Sequence, residues 1–329
     1  MRLRGLNHPL AERFRRFVLP GMRWAIALAL LAYIAMTLQS LGWSAIWEAL
    51  PDSWTFYAII ALLFLVQPLA DLMIYRRLWR IGPTMGPTVM LRKRFFNATI
   101  LDYSGEAWLF AWARRHMPGR EAFILHTIKD SNLLSASASL LVVTLLIAGL
   151  VAAVPRQIFL SPREIAAFTF LAFATVIPII AYVIARKRMT IFSTSDLTFV
   201  FTIHLIRSIL NNGLAVLAWS QGLADASLLS LLELLALRLV VSRVPFLGNK
   251  DLVFLGTGFG LAAAINLPQA GIAAVLLAAL TVDQLLNFVC VGLPLLAGTL
   301  RDLVRRRSAP RETDKGQTAL ISDAVSKSI

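Results

Sequence analysis

From Trp24 to Leu300 the chain is a succession of long apolar runs separated by short polar breaks. The runs are continuous rather than alternating, so they read as helices and not as strands of a membrane barrel. A hydrocarbon layer about 30 Å thick needs about 20 apolar residues of helix to cross it. That requirement predicts spans over residues 23–41, 55–75, 120–153, 164–185, 197–220 and 270–298. Residues 1–22 carry Arg2, Arg4, Arg13, Arg15 and Arg16 and read as a basic, partly amphipathic arm on the membrane surface. The first span follows this arm as an apolar core follows the basic start of a signal peptide. The further spans behind it make an uncleaved anchor the better reading. Residues 308–329 are polar and read as a disordered cytoplasmic tail.

Two stretches break the pattern. Residues 95–113 are long enough to cross, yet Asn97, Asp102, Ser104, Gly105 and Glu106 sit at their centre. The flanks are basic on both sides: Arg92, Lys93 and Arg94 before, Arg114, Arg115 and Arg120 after. Basic loops stay in the cytoplasm, so this stretch reads as a re-entrant hairpin with Asp102–Gly105 at its turn. In residues 228–267, two apolar arms, 228–244 and 252–267, flank Pro245-Phe246-Leu247-Gly248-Asn249-Lys250-Asp251. They read as two short spans or as a second broken hairpin, entered from the other side. The first half (23–153) thus runs span, span, hairpin, span. The second (164–298) repeats that order from the opposite side, which is the layout of an inverted repeat.

Composition agrees with a membrane. Hydrophobic residues make up 58% and charged residues 15%, with mean hydropathy +0.71. Soluble domains run about 45–50% apolar and about 25% charged. The expected fold is therefore all-α, a polytopic helical bundle in 23–300. The single cysteine, Cys290, excludes an internal disulfide and a Cys-rich metal site, and His8, His116, His126 and His204 are scattered. A net charge of +14 would suggest nucleic acid in a soluble chain. Here the basic residues gather in short loops between apolar runs, so they set topology: a multi-pass protein of the cell membrane with both termini cytoplasmic. Trp43, Trp47 and Trp54 around Glu48 and Asp52 suit an aromatic belt on the outer face.

Charge at membrane depth costs about 2.5–3.5 kcal/mol on insertion scales and by default marks a functional interior. The intramembrane charges are Asp71, Asp102, Glu106, Lys129, Asp130, Arg207, Glu233, Arg238, Arg243, Lys250, Asp251 and Asp283. A glycine in a hairpin turn permits positive φ and close backbone approach, so Gly105 is expected to make the first turn. Glu106 then serves either as a cap or as part of a head-group or proton site. Arg243, just before the break at Pro245 and Gly248, is expected to aim where Lys250 does. Guanidinium binds phosphate through paired hydrogen bonds; a neutralising pair with a carboxylate is the plainer alternative. Lys129 and Asp130 suit either a site or snorkelling near the inner face. Asp283 and Asn287 share a helix face and suit a polar interior. Gly256-Thr257-Gly258-Phe259-Gly260 suits close helix packing rather than a phosphate loop.

These residues also carry a family resemblance. The chain resembles the flippase-like transmembrane domain of lysylphosphatidylglycerol synthases and its stand-alone members, over about residues 20–300. Ser104-Gly105-Glu106 followed by Arg114 and Arg115, the charged pair Lys129-Asp130, and the loop Pro245–Asp251 stand where that family has similar features. Two details differ: Asp102-Tyr103-Ser104 replaces the proline before Gly-Glu, and the late loop has Asp251 where Glu is usual. The resemblance implies lipid translocation between leaflets, with re-entrant hairpins meeting at a central cavity. A cytosolic aminoacyl-transferase domain is not expected after the last span.

The expectation is a lipid transporter whose partners are membrane lipids with anionic phosphate head groups, and a lipid-synthesising enzyme as a further partner. Arg238, Arg243 and Lys250 would contact phosphate, and Asp102, Glu106 and Asp251 would balance them or meet a cationic group. No nucleic-acid partner, metal or cofactor is expected, and no ATP-binding motif occurs. The alternatives are a membrane-embedded enzyme on a polyprenyl or glycolipid substrate and a non-catalytic subunit of a lipid-modifying synthase.

Overall fold

The computed structural model describes residues 42–99, 103–153, 190–243, 250–262 and 267–298, with a few positions between 32 and 40. The arm at 1–22, the spans expected at 23–41 and 164–185 and the tail at 308–329 lie outside the described residues. Among those described, the elements are all helical: α1 (Trp43–Glu48), α2 (Trp54–Trp79), α3 (Gly86–Thr99), α4 (Ser104–His116), α5 (Glu121–Ala153), α6 (Thr194–Gly222), α7 (Leu228–Arg243), α8 (Lys250–Ala262) and α9 (Gln269–Asn287). Among the described residues, four stretches are long and apolar enough to cross a membrane: Trp54–Trp79, Glu121–Leu150, Thr194–Gly222 and Gln269–Gly298. The fold is an all-α membrane bundle, and each of the four matches a span expected from the apolar runs.

The chain divides into two compact units, Met1–Leu286 and Asn287–Ile329. In the second, residues 288–298 are helical and begin with a π-helical turn, Phe288–Gly292. All that follows concerns the first unit.

Helices α2 and α6 lie antiparallel and are fastened near both ends. Thr55 Oγ1 donates to Gln221 Oε1 at 3.0 Å. At the other end Arg77 Nε donates to Asp196 Oδ1 at 2.8 Å, and a second guanidinium N–H reaches Ser195 Oγ at 3.0 Å. α6 starts where it does because Ser193 caps it: its hydroxyl accepts from the Asp196 N–H at 3.1 Å and donates to the Asp196 carboxylate at 2.7 Å. α5 packs against α6 as well, where the Ser131 hydroxyl meets His204 Nε2 at 3.1 Å and Arg207 donates to Ser135 Oγ at 2.9 Å.

Two helical hairpins complete this unit. α3 and α4 have 14 and 13 residues. At 1.5 Å per residue each is about 20 Å long, too short for a hydrocarbon layer of about 30 Å. Their outer ends pack with the end of α2 and the start of α5 in one cluster of Tyr75, Trp79, Val89, Met90, Leu109, Ala113, Ile124 and Ile128. The hairpin therefore enters and leaves at a single end of the bundle. α7 and α8 have 16 and 13 residues. Their outer ends pack with the opposite end, where Phe56, Trp219, Leu223, Leu231, Ala262 and Ile272 share a cluster. The segment joining α7 to α8, with Pro245 and Gly248, lies outside the described residues, as does Asp102.

The structure corrects the reading of the first hairpin in two places. Arg92, Lys93 and Arg94 do not form a polar flank outside the hairpin; they sit inside α3, and Lys93 is buried. The left-handed backbone of the turn falls on Tyr103, with φ 68°, and not on Gly105. Gly105 serves close approach instead. A Cβ there would overlap the Lys93 carbonyl and the Asn97 side chain. In its place the Gly105 N–H donates to Asn97 Oδ1, and Ser104 Oγ donates to the Phe96 carbonyl, each at 2.6 Å. These bonds close the turn side of the hairpin and put Glu106 against α3.

Candidate functional site: a cationic cavity between the hairpin tips

Closing the α3–α4 hairpin this tightly brings three charges together in the protein interior. Lys93 Nζ lies 2.7 Å from Asp71 Oδ2 on α2 and 3.3 Å from Glu106 Oε1 on α4. Its ammonium also sits 5.7 Å from the centre of the Tyr75 ring. Asp71 and Lys93 are almost completely buried, and Glu106 nearly so. Each charge has an opposite one in reach, so the triad holds α2, α3 and α4 together rather than opening onto a cavity.

The cavity lies elsewhere. A space of about 340 Å³ is lined by Gln67 of α2, Asn97 and Ala98 near the first hairpin tip, and Arg207, Asn211 and Asn212 of α6. Arg238 and Ser242 of α7 and Lys250 of α8 close it from the second hairpin. Gln67 lies midway along α2 and Arg207 midway along α6, so the cavity is at mid-depth in the bundle. Residues flanking both hairpin tips face it, from opposite ends. Small-ligand pockets occupy roughly 300–1,000 Å³, so it has room for a polar group.

Three cations line this cavity, and no carboxylate does among its described lining residues. Arg207 spends a guanidinium N–H on Ser135, and Arg238 lies 5.9 Å from the centre of the Trp219 ring. Around them Gln67, Asn97, Asn211 and Asn212 supply amides, each able to donate and accept.

A second cavity of about 170 Å³ adjoins the first; Asn211, Arg238 and Phe254 line both. Its walls are mostly apolar, among them Ile60, Leu63, Trp219, Leu276 and Leu280. Its charges include a pair: Arg94 donates to Asp283 Oδ1 at 2.5 Å and lies over the Phe64 ring at 4.3 Å.

The residues singled out from the sequence therefore separate. Arg238 and Lys250 line the larger cavity, and Asp283 lines the smaller. Glu106 belongs to the triad. Lys129 and Asp130 line neither cavity: Asp130 is buried, accepts from Thr190 Oγ1 at 2.5 Å and lies 3.2 Å from Lys129 Nζ. They fasten α5 to the chain entering α6. Arg243 ends α7 and Asp251 lies in the first turn of α8, but their side chains are outside the described residues. Sequence reasoning missed Lys93 and Arg94 because they stand in a basic run that resembles a loop. The adjacent amides Asn211 and Asn212 inside an apolar span were the available signal for the cavity wall. No family model, curated protein or solved structure matches the chain.

Proposed function

We propose that this protein moves a lipid between the two leaflets of a membrane, the head group passing through the mid-depth cavity while the acyl chains stay in the bilayer. One observation carries the reading: two helical hairpins pack at opposite ends of the bundle, and described residues from both line one polar cavity at mid-depth. Irregular backbone at membrane depth persists where it is buried in protein or lines a wet cavity. Transporters with inverted halves place their substrate site at such a midplane and expose it to either side by rocking one part against another. The flippase-like resemblance of Gly105-Glu106 and Lys129-Asp130 points the same way. In this reading the end carrying Arg76, Arg77, Arg80, Arg114, Arg115 and Arg120 faces the cytoplasm of a cell inner membrane, by the excess of basic residues there. Transport is downhill or coupled to a gradient.

Reconstitution into sealed liposomes with fluorescent phospholipids tests this, by the fraction of label that a membrane-impermeant quencher reaches with time. Ala98→Trp fills the cavity from the first hairpin without removing a hydrogen bond given by the structure. Protein-dependent lipid movement that Ala98→Trp stops is the expected result. Movement unchanged by that substitution would remove the cavity from the path. No movement for any of several head groups would overturn the reading.

A further inference from the structure

We propose that the larger cavity reads the hydroxyls of an uncharged polyol group, a sugar or cyclitol, on the head of the lipid it handles. The proposal rests on the transport reading for its biological meaning, but binding alone tests it.

Four carboxamides line this space, Gln67 of α2, Asn97 of α3, and Asn211 and Asn212 of α6, with the Ser208 hydroxyl beside them. Asn212 and Ser208 are only 8% and 6% exposed. Neither makes a hydrogen bond among the described residues, and nor do Gln67 and Asn211. Asn97 spends its carbonyl oxygen on the Gly105 N–H, which leaves its amide hydrogens to donate. A buried polar group without a partner is costly. A lining of this kind therefore suits a ligand that completes the hydrogen bonding.

The cations do not decide which ligand. Arg207 donates to Ser135, and its charge acts on Asp71 and Glu106. Arg238 lies near the Trp219 ring, and Lys250 is engaged with its own surroundings. What these groups add to the cavity is further N–H donors.

The balance of donors and acceptors decides. A carboxamide both donates and accepts. A phosphate only accepts, so it leaves the amide oxygens unpaired. An ammonium group only donates, so it leaves the amide hydrogens unpaired. A hydroxyl donates once and accepts through two lone pairs, and neighbouring hydroxyls on one ring can meet both ends of a planar amide. A site built to bond hydroxyls discriminates strongly against an analogue that lacks them. At about 340 Å³ the space lies within the range of small-ligand pockets and admits a polar ring. The acyl chains stay in the bilayer and do not enter this choice.

Retention of radiolabelled phosphatidylinositol by the immobilised full chain, in micelles of a sugar-free detergent, tests the proposal. Competitors with the same acyl chains isolate the group that is read. Phosphatidylcyclohexanol keeps the ring and the phosphodiester but lacks the hydroxyls. Glucosyl diacylglycerol keeps ring hydroxyls and lacks the phosphate. Glucosyl diacylglycerol is expected to compete within about tenfold of unlabelled phosphatidylinositol, and phosphatidylcyclohexanol about a hundredfold more weakly than phosphatidylinositol. Equal competition by phosphatidylcyclohexanol would overturn the proposal in favour of phosphodiester binding. Failure of glucosyl diacylglycerol to compete would overturn it too. Free inositol competing as well as the lipid would show a soluble polyol site and not a lipid one. Asn211→Leu and Gln67→Met each remove one amide, on different helices, at nearly constant size. Either should weaken phosphatidylinositol about tenfold and leave phosphatidylcyclohexanol unchanged; equal weakening of both lipids would count against hydroxyl recognition. Elution as a single species, with wild-type thermal unfolding, shows that a lost signal is lost binding. Binding in the expected order without lipid movement in liposomes leaves the site standing and removes the transport reading. Lipid movement with equal affinity for all three lipids removes the polyol site alone.

Discussion

Two groups of charges lie inside this bundle, and they are built in opposite ways. In the triad, Lys93 stands between Asp71 and Glu106, every charge within 3.3 Å of an opposite one, with Asp71 and Lys93 shut away from solvent. In the cavity, Arg207, Arg238 and Lys250 line one open space, and its described walls offer no carboxylate. Both groups look alike in the sequence, as costly ions in apolar runs. The lesson is that charge at depth has two placements, told apart by whether the group is locked between opposite charges or lines an open space. The first kind fastens helices; the second lines a polar cavity.

Four substitutions break or sharpen this contrast. The largest effect is expected for Lys93→Met, which leaves Asp71 and Glu106 facing each other in a dry interior. Removing one partner of a buried ion pair costs about 3–5 kcal/mol, readable as a fall in thermal unfolding temperature in detergent. A loss below about 1 kcal/mol would show that the triad is not a fastening. Neutralising all three with Asp71→Asn, Lys93→Met and Glu106→Gln should recover most of that loss, since well-packed neutral replacements of buried ion pairs are often tolerated. Next comes Gly105→Ala, whose methyl group meets the Lys93 carbonyl and Asn97. Overpacking of this kind costs about 1–3 kcal/mol, and it should also loosen Glu106 from Lys93.

Arg207→Gln belongs to the other group. It should cost less stability than Lys93→Met, because Lys93, and not Arg207, makes the close contacts to Asp71 and Glu106 that Arg207 only reinforces through its charge. It should nevertheless abolish lipid movement in liposomes. A large loss of stability with transport intact would reverse the assignment of Arg207. The smallest effect is expected for Arg77→Ala. Its pair with Asp196 is more than a quarter exposed on both sides (38% and 30%), and exposed pairs contribute about 0.2–1 kcal/mol.

Much of the architecture was legible in the apolar runs. Spans read at 55–75, 120–153, 197–220 and 270–298 correspond to helical stretches at Trp54–Trp79, Glu121–Ala153, Thr194–Gly222 and Gln269–Gly298. The first hairpin was legible too, because polar residues interrupt a run of spanning length; the second was legible only as either two short spans or a broken hairpin. The partners of the charges were not. Arg92, Lys93 and Arg94 form the kind of basic run that usually marks a cytoplasmic loop, and nothing local says otherwise. On a helix, neighbours point about 100° apart, so Lys93 turns to Asp71 while Arg94 turns to Asp283. Those contacts join residues 22 and 189 positions apart in sequence. Pairing at such separation comes from how helices pack, which no window of sequence contains. Arg238 and Lys250 were legible as charges out of place, but their sharing one cavity with Asn97 was not, because it depends on two hairpins meeting.

The fastenings at the two ends of α2 and α6 have a further consequence, for the thickness of the membrane around them. Thr55 and Arg77 are 22 residues apart on one helix, about 33 Å of rise. That is close to the hydrocarbon thickness of an ordinary bilayer, about 30 Å. A helix pair pinned at both ends cannot slide to shorten itself. A thinner bilayer must therefore tilt the two helices as one body, and the hairpins that hang from them turn with it.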